Sequence, residues 1–276
     1  MSKNLKTGVV GPAGTASHEA ATRLGYKDVA FFRTITDVFV ALENDEIHVG
    51  VVPIENIIRG NVGDTLDGMY DFEPKVIGEA VVPIALCIAS KAKKKNDVKV
   101  VLSDQRAIAQ CLFYLNKKFP DQEVINVASA AHAMRYVAES RMNDCAAIGS
   151  EFAAKQYKLN VLDRNIEDRK GNLTRYLVVS KKINAKPAKE SKTSIFIFPK
   201  AKKDQPGILY YVSGCFAKNN INLTQVSLRP SRKKLGIYYF YFEFAGNEKD
   251  ANVQKALKEL AKYSDFKILG SFPKVY

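Results

Sequence analysis

Four times between Thr7 and Tyr157, a short apolar run passes through a turn of small polar residues straight into a helical pattern. TGVVG leads into Ser17–Leu24, VKVVLSD into AIAQCLFYLNKKF, VINVAS into AAHAMRYVAESR, and CAAIGS into EFAAKQY. Two further apolar runs, VGVVPIE and KVIGEAVVPIALCIA, supply additional strands. Strands alternating with helices specify an α/β domain with largely parallel sheets, because a parallel pair needs a crossover that a helix can provide.

The alternation stops at a polar, lysine-rich stretch. Lys181–Lys192 (KKINAKPAKESK) has no apolar face at helical spacing and contains Pro187, which reads as a linker. We therefore expect an N-terminal domain over residues 5–182, a linker over 183–192 and a C-terminal domain over 193–276. The last part reads as strand TSIFIF, a helix PGILYYVSGCFAKNN opened by Pro206, strands NLTQVSLRP and GIYYFYFEFAG, a helix, and strand FKILGSF. In the third of these strands Tyr238, Phe240, Phe242 and Phe244 take one face, with Ile237, Tyr239 and Tyr241 on the other. Val253, Ala256, Leu257, Leu260 and Ala261 form the apolar stripe of the second helix. The order β-α-β-β-α-β is the ferredoxin-like split arrangement.

Composition removes several function classes. With 42 Lys+Arg against 29 Asp+Glu the net charge is +13. The lysines come in short tracts such as KAKKKND, without a helix-turn-helix, zinc-finger or single-strand-binding signature. A solvated basic surface, not nucleic-acid binding, is expected. The longest apolar run, AVVPIALCIA at Ala80–Ala89, falls short of the ~20 residues that cross a bilayer, and the N-terminus lacks a signal-peptide pattern. Cys87, Cys111, Cys145 and Cys215 are scattered among apolar neighbours, as in a reducing compartment. His18, His48 and His132 form no metal-binding spacing with them. The expectation is a cytoplasmic protein with no membrane partner, no metal and no organic cofactor.

Five segments place polar residues where an α/β fold binds ligands, at strand ends and helix starts. Gly14 and Thr15 lie in the turn GPAGTAS, whose spacing is neither a dinucleotide fingerprint nor a Walker loop. Asn56 ends a buried strand, beside Glu55, which is suited to orienting it. Ser103 reads as a helix cap, with Gln110 on the first turns beyond it; Ser129 repeats the arrangement before Ala130. Last, Thr174 and Arg175 follow Asn172, and a hydroxyl beside a guanidinium suits a carboxylate. Together they describe a cleft for a small organic acid.

At these residues the chain resembles the prephenate dehydratase family over nearly its full length. The resemblance rests on GPAGT at Gly11–Thr15, PIEN at Pro53–Asn56, GNVGDTLD at Gly60–Asp67, AQC at Ala109–Cys111 and NLTR at Asn172–Arg175. The C-terminal part resembles an ACT domain through Gly207–Tyr210, Asn222–Thr224 and Arg229-Pro230. The resemblance implies a two-lobed catalytic domain built like periplasmic binding proteins. Its reaction is the decarboxylating dehydration of prephenate to phenylpyruvate, without a cofactor. It implies Thr174 as the residue assisting loss of the ring hydroxyl, with Asn56 and Gln110 orienting the substrate. Gly14, Thr15, Glu55 and Ser103 would contact substrate, as would Ser129, Ala130, Asn172, Arg175 and Tyr176. L-phenylalanine would bind the C-terminal domain near Gly207, Ile208, Leu209, Asn222, Leu223 and Arg229, and paired ACT domains would make a dimer or tetramer. The family's motifs are altered at Ala16, Ile57, Asp104–Arg106, Ala130, Tyr176 and Ser227-Leu228. Those changes keep arogenate dehydration, or a non-catalytic sensor of aromatic acids, open as alternatives.

Overall fold

The computed structural model describes residues 5–182, 185–186, 188–200, 206–231 and 238–275. From the N-terminus the elements are β1 (Thr7–Val10), α1 (Ala16–Arg23), β2 (Val29–Phe32), α2 (Ile35–Glu43), β3 (Val49–Asn56), the two-residue β4 (Gly60–Asn61), α3 (Gly63–Phe72) and β5 (Lys75–Pro83). There follow β6 (Cys87–Ser90), β7 (Val100–Ser103), α4 (Gln105–Ala109), α5 (Leu112–Lys118), β8 (Glu123–Asn126), α6 (Ala130–Glu139), β9 (Cys145–Gly149), α7 (Glu151–Gln156), β10 (Asn160–Arg164) and β11 (Leu173–Ser180). The C-terminal part is β12 (Ser191–Pro199), α8 (Ile208–Ala217), β13 (Leu223–Pro230), β14 (Tyr238–Ala245), α9 (Ala251–Leu260) and β15 (Ser264–Pro273).

The N-terminal domain has two lobes, each around its own sheet. The first sheet runs β2-β1-β3-β11-β5, with β4 on β3; the second runs β10-β6-β9-β7-β8. The expectation of largely parallel sheets is corrected here. β1 is parallel to β2 and β3, and β7 to β8 and β9. β11 is antiparallel to β3 and β5, and β6 to β9 and β10. The cause is connectivity: the chain leaves the first lobe on β5, enters the second on β6, and returns through β10 and β11. An outgoing and a returning strand that pair must run in opposite directions. Thr174 sits at the start of that returning strand, at the seam between the lobes.

Helices α2 and α3 were not anticipated. α2 carries a full capping box between Thr34 and Asp37, a start signal that was present in the sequence. α3 opens at Gly63 without a side-chain cap, so its start is silent. The helix expected after Ser103 breaks into α4 and α5, with Gln110 as the C-cap of the first piece. α8 begins at Ile208 after Gly207, whose φ of 85° is left-handed, so Pro206 stands just outside the helix. Ile183, Asn184 and Pro187 of the expected linker, and Ile237, lie outside the described residues. The linker's last two residues, Ser191 and Lys192, are already in β12.

The C-terminal sheet, β13-β14-β12-β15, is antiparallel throughout. α8 and α9 cover one face over Phe240, Phe242 and Phe244. The other face lays Phe196, Tyr239, Tyr241 and Phe272 against Phe39, Leu66 and Met69 of the first lobe. The alternation along β14 thus decides which aromatic faces the helices and which faces the N-terminal domain. Each large side chain buried there contributes about 1.5–3 kcal/mol, so the two domains dock firmly. The approach is close: a Cβ on Gly270 of β15 would stand 2.4 Å from the Val76 carbonyl oxygen of β5.

Candidate active site

Along the β11/β3 ladder, Thr174 lies opposite Asn56 and Arg175 opposite Glu55. Neighbouring residues of a strand point to opposite faces, so these two pairs cannot share a site. Thr174 and Asn56 open on a cleft of about 570 Å³ between the lobes, a size suited to a small ligand.

The polar groups of this cleft are tied together. Asn56 Nδ2 donates to Asn172 Oδ1 (2.7 Å), Thr174 Oγ1 (2.9 Å) and the Leu173 carbonyl (3.0 Å). Its Oδ1 accepts from the backbone N–H groups of Ile58 and Arg59. Asn172 Nδ2 reaches Gln110 Oε1 of the second lobe at 3.4 Å, and Gln110 Nε2 donates to the Arg106 carbonyl at 3.1 Å. Because Thr174 Oγ1 already accepts from Asn56, its own O–H is left to donate into the cleft.

The walls favour an anion. The N-termini of α1 and α6 both reach the cleft with their positive dipole ends, and at α6 the Asp104 carboxylate already accepts from the Ala130 N–H. Thr15 caps α1 by accepting from His18 N, and Ser129 caps α6 by accepting from His132 N. Arg59 faces the cleft from the turn after β3, and Arg106 from α4. Burial, then the neighbouring Arg106, holds the Arg59 guanidinium below its usual pKa. Among the described residues neither arginine is ion-paired. The cleft's two carboxylates are engaged: Glu19 with Arg23 at 2.7 Å, and Asp104 with the backbone N–H groups of Arg106, Ala107 and Ala130. No group of three or more His, Cys, Asp and Glu stands close enough to hold a metal ion among the described residues.

Comparison with known proteins assigns the family. The family model "Prephenate dehydratase" matches residues 7–184, and the model "ACT domain" matches residues 195–262. The chain belongs to the prephenate dehydratase family. It is 40% identical to the bifunctional chorismate mutase/prephenate dehydratase of Aquifex aeolicus over 99% of this chain and 75% of that one. It is 38% identical to the prephenate dehydratase of Methanocaldococcus jannaschii over 95% of this chain and 96% of that one. The crystal structure of prephenate dehydratase from Arthrobacter aurescens in complex with L-Phe superposes with a TM-score of 0.86 at 27% identity, covering 97% of this chain and 89% of that one.

Within this prephenate dehydratase framework the cleft brings together Gly14, Thr15, Asn56, Gln110, Ser129, Ala130, Asn172, Thr174 and Tyr176. Ala16, at an altered motif position, also lines it, whereas Ile57 points to solvent. Burial raises the Tyr176 phenol above its usual pKa, against a hydrogen bond with Ser17.

Three expected substrate contacts are corrected. Arg175 is turned away from the cleft and buried, donating to Glu55 (2.6 Å), Glu79 (3.2 Å), Glu243 (2.7 Å) and Gln225 (2.6 Å). Glu55 therefore orients Arg175, not Asn56. Ser103 is fully buried and donates to the Ile148 carbonyl; the cap of α4 is Asp104, one residue on.

In the ACT domain, Gly207, Ile208 and Leu209 form the start of α8, and Asn222 and Leu223 lead into β13. Arg229 also reaches Asp67 of α3 at 2.5 Å, a contact between the two domains. Arg59 and Arg106 are basic cleft-lining residues that sequence reasoning did not single out. Both stand within motif segments, but an exposed arginine in a turn carries no signal of which way it faces.

Proposed function

We propose that the cleft converts prephenate to phenylpyruvate, carbon dioxide and water, as the relatives' names imply for those proteins. The observation that supports the reading most is Thr174 Oγ1 on the cleft wall, 2.9 Å from the Asn56 amide that donates to it, which leaves the hydroxyl's own O–H available as a donor. In the reaction the bond from the ring to its carboxylate breaks, and the electron pair moves through the ring as the opposite C–O bond opens. Carbon dioxide leaves from one end. The hydroxyl leaves from the other, hydrogen-bonded by Thr174, and takes one proton from solvent to become water. Aromatisation drives the change, so the protein's task is to position the substrate and stabilise the departing oxygen. Thr174 donates a hydrogen bond to that oxygen; a hydroxyl is too weak an acid to surrender its proton outright. Arg59, Arg106 and the starts of α1 and α6 hold the carboxylate side chain.

L-Phenylalanine would act on the ACT domain at Gly207–Leu209 and Asn222-Leu223, and two copies would pair along β13, an edge strand with Val226 and Leu228 exposed. A cytoplasmic location fits four free, buried cysteines, with the Cys87 and Cys111 thiols pushed up to about 12 by burial.

The test is phenylpyruvate formation from prephenate by the native chain and by Thr174→Ala. The native chain should form product, and the variant should fold normally with turnover lower by about 10²–10³. Equal turnover would remove Thr174 from the mechanism, and recovery of bound prephenate intact would leave a sensor.

A further inference from the structure

The strand that leads away from the expected phenylalanine site touches the wall of the catalytic cleft. Along β13, Gln225, Ser227 and Arg229 point in turn toward the N-terminal domain. Gln225 Oε1 accepts from Arg175 Nη2 at 2.6 Å, while its Nε2 donates to Asn61 Oδ1 at 2.9 Å. Asn61 Nδ2 in turn donates to Ser227 Oγ at 2.7 Å. Asn61 itself lines the cleft and pairs across β4 with Glu55, one residue from the catalytic Asn56. Arg175 is the immediate neighbour of Thr174 and is bonded to the same Glu55.

We propose that Gln225, with Ser227, is a positioning residue for the dehydration. By holding Asn61 it sets the β3–β4 turn that carries Arg59, and by holding Arg175 it sets the start of β11 that carries Thr174. The cleft is therefore completed by a strand of the ACT domain. A ligand seated at Asn222-Leu223 would lie at the start of the same strand, two residues before Gln225, whose side chain bonds Arg175, next to Thr174, and Asn61, in the turn that carries Arg59. The physical basis is polarity under burial. Gln225 and Arg175 are both buried, and a buried polar group left without its partner costs far more than an exposed one, so the contact holds one geometry. This inference rests on the dehydratase reading for its kinetic test, but not for its structural one.

The experiment uses the full chain and three variants: Gln225→Ala, Ser227→Ala and Gln225→Glu. Amide hydrogen exchange over residues 57–62 is read without substrate. Gln225→Ala should speed exchange there, and Ser227→Ala should do so to a smaller degree. In assays without phenylalanine, Gln225→Ala should raise KM for prephenate roughly tenfold, as expected for a lost hydrogen bond to a charged group. Its turnover should no longer respond to phenylalanine, although calorimetry still detects phenylalanine binding. Gln225→Glu keeps an acceptor for Arg175 but adds a fourth carboxylate beside Glu55, Glu79 and Glu243, so its exchange and KM should fall between those of the native chain and Gln225→Ala. Unchanged exchange at 57–62 in both alanine variants overturns the proposal. So does native KM with an intact phenylalanine response in Gln225→Ala. Should the native chain bind prephenate without converting it, the dehydratase reading fails, and exchange and prephenate affinity still decide the role of Gln225.

Discussion

Thr174 and Arg175 are adjacent in sequence and stand in different environments. One faces the cleft between the lobes; the other is buried against Glu79 and Glu243, with the partly exposed Glu55 and the buried Lys192 beside them. Strand alternation alone requires this, and the attraction of a Thr-Arg pair as a carboxylate ligand obscures it. In the proposed reading, the carboxylate binding expected of Arg175 falls to Arg59 and Arg106, which line the cleft. Neither forms an ion pair among the described residues, so their removal should touch affinity more than stability. Arg59→Ala and Arg106→Ala are each expected to raise KM for prephenate by roughly 10–100-fold with a small change in unfolding midpoint. If neither moves KM, the helix starts hold the substrate unaided.

At the scale of elements, the cleft is assembled from ends: the end of β3, the start of β11 and the starts of α1 and α6. Such positions are where backbone groups lack partners, so a capping side chain both stabilises the helix and shapes the site. Ser129 separates these roles. Ser129→Ala should cost about 1 kcal/mol of stability by removing the cap. Ser129→Asp should keep the cap and the stability while placing a negative charge where an anion binds, raising KM by at least tenfold. Equal KM for Ser129→Asp and the native chain, in salt-matched assays, would take α6 out of substrate binding. Gly14 belongs with these ends: φ is 87°, and a Cβ there would meet the Tyr157 ring at 3.1 Å and Ala153 Cβ at 3.2 Å, across the two lobes.

At the scale of the molecule, the two domains share a buried ionic cluster: Arg175, Glu55 and Glu79 from one, Lys192 and Glu243 from the other, with Tyr241 and Ser194 bonded to Glu243. Burial raises the Glu243 carboxyl above its usual 4.5, against the pull of Arg175, and lowers the Lys192 ammonium below 10.5. For an acid whose folded pKa is raised, the stabilising contribution is complete below the unfolded pKa and is lost as pH rises through the folded one. Glu243→Gln imitates the protonated form. Its stability relative to the native chain should therefore increase as pH rises above 4.5, measured by denaturant unfolding at several pH values. A difference that stays constant with pH would show that Glu243 does not change its charge on folding.

Periodicity and local chemistry determined a good deal of this protein. The alternation of apolar runs specified the α/β domain, the period of two in β14 sorted its aromatics between helices and catalytic lobe, and the motifs located Thr174, Asn56, Gln110 and the helix starts. Those features depend on residues near one another in the chain, which is why they can be read from it. The antiparallel return of β11, the break at Gln110, the burial of Arg175 and Ser103, and the turn of Arg59 and Arg106 into the cleft were decided by tertiary structure. Each depends on a partner far away in sequence: Arg175 has Gln225 and Glu243 beyond the linker, and Asn61 has Ser227. A local pattern holds no record of such partners, because burial and charge pairing are settled only when the domains pack.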